Sequence, residues 1–249
     1  MIRFILVVIW VVLFLVLSIP VFFIEWLIGK WNLGLRDISS LRIVQTAFKG
    51  VALISGVKLT VIGEENVPKN QAVLYVGNHR SQFDIVLNYA RCPGLTGFVA
   101  KKELEKIPLL STWMRFLHCL FLDRDNIKEG LKTILAAIEQ VKNGISIMIF
   151  PEGTRSKDAD ELQMLPFHEG SFKIATKSGC PIIPVAISNS SALFEDQFPR
   201  IKPAAVTIEY GAPIYPKELS KEEQKFLGRH VQGQILEMLK KNQAAVQRQ

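Results

Sequence analysis

His79 and Asp84 stand five residues apart in the stretch Asn78-His79-Arg80-Ser81-Gln82-Phe83-Asp84. An imidazole with a carboxylate on one ring nitrogen keeps the other nitrogen as a base. The spacing limits how the two side chains can meet. On one continuous helix, five residues turn about 500°, leaving the side chains roughly 140° and about 7.5 Å apart. Contact therefore requires His79 on a loop or cap and Asp84 in the first turns of the following helix. The preceding run, Ala72-Val73-Leu74-Tyr75-Val76, reads as a buried strand ending at Gly77. A site just past the carboxyl end of a strand is well placed for chemistry. An isolated His-x4-Asp also fits a plain helix cap with an acidic group at its positive end.

Other charged groups follow apolar runs in the same way. Gly97 to Ala100 is a short strand before Lys101-Lys102-Glu103-Leu104. Leu117 to Leu122 is another, ending in Asp123-Arg124. Ile145 to Phe150 runs into Pro151-Glu152-Gly153-Thr154-Arg155-Ser156. Taken singly, the lysines read as solvated charges, Asp123-Arg124 as a surface ion pair and the Pro-Glu-Gly-Thr run as a turn.

Their order along the chain carries more than any one of them. N-H-x4-D, K-K-E-L with Ile107-Pro108, an arginine after a strand, F-P-E-G-T-R-S and the apolar strand Ile182 to Ile187 together resemble the glycerolipid acyltransferase family, whose members acylate glycerol phosphates. The resemblance runs from about Val73 to Val185. Leu109-Leu110-Ser111 stand where the family often has a glycine. His168 stands near a position that is commonly more basic.

The resemblance implies His79 as general base and Asp84 as the group that sets its tautomer. It places Lys101, Arg124, Glu152, Gly153 and Arg155 around the substrate. Arginine suits phosphate because its planar fork donates two parallel hydrogen bonds. Gly153 permits close backbone approach or a positive φ. Glu152 would orient Arg155 or bind a substrate hydroxyl. Backbone N–H groups near the start of the helix after His79 would hold the oxyanion. The implied reaction moves an acyl group from a thioester of acyl carrier protein or coenzyme A to the free hydroxyl of a lysophosphatidic acid, giving phosphatidic acid. The thioester is a substrate; the scheme calls for no cofactor and no metal. An enzyme acting on glycerol 3-phosphate or another lysolipid would share the chemistry. A hydrolase using Ser81 lacks the G-x-S-x-G elbow. A non-catalytic lipid-binding protein would keep its function after His79→Ala.

Strands and helices alternate from Leu59 to Tyr210, which gives an α/β class. The expected fold is a mixed sheet flanked by helices, with an N-terminal membrane-associated helical segment. Residues 1–56 form that anchoring segment and 57–249 the acyltransferase domain. Asn126 with Glu129 opens an amphipathic helix whose stripe, from Ile127 and Leu131 to Ile138 and Val141, is expected to be core. Pro184 cannot donate to a ladder, so a bulge or an edge is expected there. Ser220 with Glu223 caps a closing helix, with Leu227, Val231, Ile235 and Leu239 on one face.

Phe4 to Ile24 carries no charge and as a helix would reach about 30 Å, the thickness of a bilayer core. Its length and lack of a cleavage site argue against a secretory signal. Pro20 would kink it or turn it back within a leaflet. Trp10, Trp26 and Trp31 are candidate interface anchors. Lys30, Arg36, Arg42 and Lys49 follow the run, which places the domain on the cytoplasmic face of the membrane. Ile38 to Gly56 reads as a second helix lying in the interface, with Leu41, Val44 and Val51 on one face and Arg42, Gln45 and Lys49 on another. A net charge of +7 suits anionic lipid or phosphate. No nucleic-acid-binding pattern is visible. Cys92, Cys119 and Cys180 lie too far apart for a zinc or disulfide framework.

Overall fold

The structure, a computed structural model, describes residues 1–246. Two helices come first, α1 (Ile2–Trp31) and α2 (Leu33–Ser55), followed by strand β1 (Lys58–Ile62). The body continues as β2 (Leu74–Gly77), α3 (Phe83–Tyr89), β3 (Thr96–Lys101), α4 (Leu110–Phe116), β4 (Leu120–Leu122) and α5 (Ile127–Lys142). It closes with β5 (Ser146–Ile149), α6 (Lys173–Ser178), β6 (Ile182–Ser188), β7 (Ala205–Tyr210), α7 (Lys221–Lys225) and α8 (Leu227–Val246).

The seven strands form one mixed sheet in the order β1-β7-β6-β2-β5-β3-β4. β6, β2, β5, β3 and β4 run parallel, whereas β7 is antiparallel to β6 and parallel to β1. The carboxyl ends of the five parallel strands therefore share one edge. The central strands are buried on both faces, which explains their near-continuous apolar runs. One core contains Tyr75, Phe83, Leu87 and Trp113; the other contains Leu74, Ile147, Ile174 and Ile235.

Pro184 sits in a central strand, not at an edge, and the expected irregularity falls on its neighbour. Ile182 bridges Ile214 and Val185 pairs with Tyr210. Two residues of β6 thus face three of the adjoining chain. That one-residue excess is a bulge, and it lies where the proline has no N–H to offer.

Three local expectations change. The strand before Asp123 starts at Leu120, because Leu117 caps α4 and His118 takes a positive φ of 57°. In α5 the packed side is Thr133, Ala137, Ile138 and Val141, while Ile127 and Leu131 are 91% and 53% exposed. β4 is the edge strand and only three residues long, so the first turns of α5 overhang the sheet. The closing helix is broken in two; the Ser220–Glu223 capping box opens the short α7, and the buried face belongs to α8.

α1 is a single helix with Pro20 inside it, and among the described residues it alone is long and apolar enough to cross a membrane. It runs antiparallel to α2. Arg3 Nη1 donates to Ile54 O (2.7 Å), Trp10 Nε1 to Ala47 O (2.9 Å), and Ser39 Oγ to Glu25 (2.8 Å). A Cβ on Gly50 would lie 2.4 Å from the Trp10 ring, so glycine is what lets the indole rest on α2. Trp10 is therefore tied to α2, while Trp31 stays 91% exposed. Phe4, Val7, Phe14, Ser18 and Phe22 follow helical spacing and face the body; Ser18 Oγ accepts from Trp113 Nε1 at 2.8 Å. Leu6, Ile9, Leu13, Leu17 and Ile24 point outward.

α2 spends its apolar face on the body rather than on an interface. Leu41, Val44 and Val51 join the core, and Gln45, expected on the polar side, is buried with Nε2 donating to Tyr89 O and Cys92 O.

Candidate active site

β2 ends at Gly77, and the chain turns through Asn78 to Gln82 before α3 begins. Asn78 fastens the turn to β6, donating from Nδ2 to Ile187 O (2.9 Å) and accepting from Ile187 N–H (2.8 Å). His79 lies on this loop and Asp84 in the first turn of α3. Their side chains meet as the spacing requires, with His79 Nδ1 2.8 Å from Asp84 Oδ2. Asp84 is fully buried, and the same oxygen accepts the N–H groups of Arg80 and Ser81, each at 2.8 Å. Those two amides fix the carboxylate and hold it ready for an Nδ1–H donor. The proton-bearing nitrogen is then Nδ1, and Nε2 keeps its lone pair. The imidazole also stacks on Phe150, with ring centroids 4.3 Å apart.

The second stretch folds onto the first. β5 lies beside β2, so Pro151 to Ser156 emerges next to the His79 loop. Ser156 N–H donates to His79 O (2.8 Å), and His79 N–H donates to Glu152 Oε1 (2.7 Å). Glu152 Oε2 takes the Leu165 N–H at 2.9 Å. Glu152 is thus buried as a brace for the His79 backbone, and its partners differ from the expected ones: among the described residues it makes no hydrogen bond or ion pair with Arg155. Burial pushes its carboxyl above the usual range, against the pull of the two amides. Gly153 has φ +73°, and a Cβ there would press on His168 Nε2 at 3.2 Å, so both expected uses of glycine are met.

Arg155 pairs instead with Glu195, Nη1 to Oε1 at 2.8 Å. Glu195 also accepts the Gln82 N–H (2.9 Å) and the Ser81 hydroxyl. Nothing in the sequence marks Glu195. It lies 40 residues beyond Arg155, in a short turn after β6.

The amides near the start of α3 are spent. Arg80 and Ser81 donate to Asp84, Gln82 to Glu195 and Phe83 to Ser81 Oγ. The expectation that they hold an oxyanion is therefore corrected. Among the described residues, the N–H groups of Thr154 and Arg155 have no acceptor. Lys101 is the last residue of β3 and Arg124 lies two residues past β4, two and three strands along the same edge from β2. At about 4.8 Å per strand, they start about 10 and 14 Å from the His79 loop. Lys101 is exposed and paired with Glu103 at 2.8 Å; Arg124 is exposed. Lys102 pairs with Asp123 at 2.8 Å. The thiols lie apart from this chemistry. Burial pushes Cys92 up to about 12 and Cys119 to about 11, and raises Cys180.

The His79–Asp84 pair and Arg155 thus lie on adjoining loops at the carboxyl ends of the parallel strands. A family model described as Acyltransferase matches residues 58–188. The chain belongs to the acyltransferase family. Its relatives include the 1-acyl-sn-glycerol-3-phosphate acyltransferases of Saccharomyces cerevisiae, 35% identical over 76% of this chain, and of Borreliella burgdorferi, 31% identical over 75%. The alignments span 62% of the yeast protein and 73% of the Borreliella one. The crystal structure of the 1-acyl-sn-glycerophosphate (LPA) acyltransferase from Thermotoga maritima superposes with a TM-score of 0.74 at 28% identity, covering 93% of this chain and 94% of that one. That coverage includes most of the N-terminal pair of helices in this acyltransferase.

Proposed function

We propose that this acyltransferase moves an acyl group from a thioester to the free hydroxyl of 1-acyl-glycerol 3-phosphate, forming phosphatidic acid for phospholipid synthesis. The observation that carries the reading is the His79–Asp84 contact, with Nε2 unpartnered among the described residues and Arg155 tied to the same loop through Glu195. His79 Nε2 takes the hydroxyl proton as that oxygen attacks the thioester carbonyl. Asp84 stabilises the imidazolium so formed. Collapse of the tetrahedral intermediate expels the thiolate, which takes the proton back from His79. A positioned base of this kind contributes about 10²–10⁴-fold in rate. The Thr154 and Arg155 amides, without acceptors among the described residues, are the donors for the oxyanion. Arg155 holds the phosphate, and Lys101 and Arg124 extend the positive edge beside it. Glu152 and Gly153 act by fixing the loop that carries these groups.

Acyl carrier protein and coenzyme A present the same thioester, so either serves the chemistry as drawn. α1 beds its outward apolar side in the cytoplasmic leaflet while its other side stays docked on α2 and Trp113. Residues 1–56 thereby hold the catalytic body against the surface where acceptor and product reside. The test uses the full chain in mixed micelles with lysophosphatidic acid and a long-chain acyl thioester. Thiol release and phosphatidic acid are followed together, beside His79→Ala. Matched release and product, lost in the variant, are expected. Release without phosphatidic acid means a hydrolase, and turnover only with glycerol 3-phosphate or another lysolipid means a different acceptor.

A further inference from the structure

Glu195 lies in neither of the two motif stretches, yet it is bonded to both. Its Oε1 accepts from the Gln82 N–H and from Arg155 Nη1, and its Oε2 accepts from the Ser81 hydroxyl. Ser81 and Gln82 belong to the loop between His79 and Asp84. One carboxylate therefore joins the base-bearing loop to the arginine that the proposed function assigns to phosphate.

The contact is not an ordinary surface ion pair. Exposed pairs hold two mobile side chains together and contribute little. Here the carboxylate is fixed by a backbone amide and a buried serine, so its position is set before Arg155 binds it. The turn that carries it is itself held. Phe194, the preceding residue, stacks on Phe4 of α1 with ring centroids 5.7 Å apart, and Leu193 is fully buried. A guanidinium has five N–H donors, and this pair uses one of them. The remaining fork stays available to a phosphate and is stopped from rotating away.

We propose that Glu195 is a positioning residue for the acceptor's phosphate, acting through Arg155. It does not touch the reacting atoms. This inference rests on the reading of Arg155 as the phosphate-binding group. The carboxylate also sets a limit on charge. A like-charged phosphate placed directly over Glu195 would be repelled, so the headgroup must approach Arg155 from the side facing away from Glu195.

The test is a double-mutant cycle in the full chain, with KM measured separately for lysophosphatidic acid and for the acyl thioester. Glu195→Ala is expected to raise the acceptor KM about 10–100-fold, the range for a lost charge-assisted hydrogen bond, and to leave the thioester KM unchanged. In an Arg155→Ala background it is expected to add nothing. Glu195→Gln keeps an oxygen for Gln82 and Arg155 and turns an NH₂ toward Ser81 Oγ, so it is expected to restore most of the loss. Equal loss for both substrates, additive losses in the cycle, or no effect would each overturn the proposal. If Glu195→Ala does not fold, the cycle run with Glu195→Leu, which keeps the bulk and removes both acceptor oxygens, decides. If the wild type is silent with lysophosphatidic acid, the proposed function fails. Calorimetric titration with glycerol 3-phosphate then still tests whether Glu195 acts through Arg155.

Discussion

Asp84 concentrates its bonding on one oxygen. Oδ2 receives His79 Nδ1 and two backbone amides, whereas Oδ1 is buried without a partner among the described residues. This asymmetry decides what Asp84→Asn would do. The two amides need an acceptor, so the asparagine oxygen must take the place of Oδ2, and its NH₂ must fill the other position. His79 then keeps its tautomer and loses only the charge that stabilises the imidazolium. The expected fall in kcat is about 10²-fold, at the low end for a general base and smaller than for His79→Ala. Thiol-release assays on the two variants side by side check this. Equal losses would mean that the amides do not control the tautomer. The geometry of a His79–Asp84 contact was legible in the sequence, because a five-residue spacing admits one arrangement; the contact itself was what the family resemblance implied. Glu195 was not legible, because its partners come from two distant segments that only folding brings together.

At the level of elements, α1 shows how one apolar run serves two surroundings. Phe4, Phe14, Ser18 and Phe22 pack against the body, and Leu6, Ile9, Leu13 and Leu17 on the outward side remain exposed. A run that is hydrophobic all round does not say which side is taken by protein. The close approach at Gly50 is the point where the pairing of α1 with α2 is most sensitive. Gly50→Leu would drive atoms into the Trp10 indole, which a single added Cβ already meets at 2.4 Å. The expected cost is about 1–3 kcal/mol of overpacking, read as a lowered melting temperature. Activity on a vesicle-held acceptor is expected to fall more than activity on a short-chain, water-soluble one, because α1 carries none of the reacting groups. Equal losses on both acceptors would show that α1 stabilises the body without presenting it to lipid.

For the whole molecule, two carboxyls, the buried Glu152 and the half-buried Glu161, couple stability to pH. Burial raises both Glu152 and Glu161 above their ordinary value of 4.5. Each folded group holds its proton to higher pH than the unfolded group does. Their contribution to stability is therefore complete below 4.5 and is lost as pH rises through the raised values. Glu161→Gln keeps an oxygen for the Asn189 N–H and removes the titration. Relative to the wild type, the variant is expected to gain melting temperature toward neutral pH and to show no gain below 4.5. Thermal melts of both proteins across that range check it, and a constant difference between the two curves would refute it.

The sequence by itself determined the features set by near neighbours. These are the strands before Asn78 and Pro151, the Ser220–Glu223 cap, and the one arrangement in which His79 and Asp84 could meet. Each follows from a few torsions or from hydrogen bonds between residues close in the chain. Only the tertiary structure decided which element lies beside which. The order β6-β2-β5-β3-β4 puts Arg155 next to His79 and leaves Arg124 three strands away. The same arrangement buries Gln45 under two carbonyls, turns Glu152 onto the His79 backbone and exposes Ile127. Burial is a property of the packed assembly, and identical local patterns meet protein or solvent according to where the sheet ends.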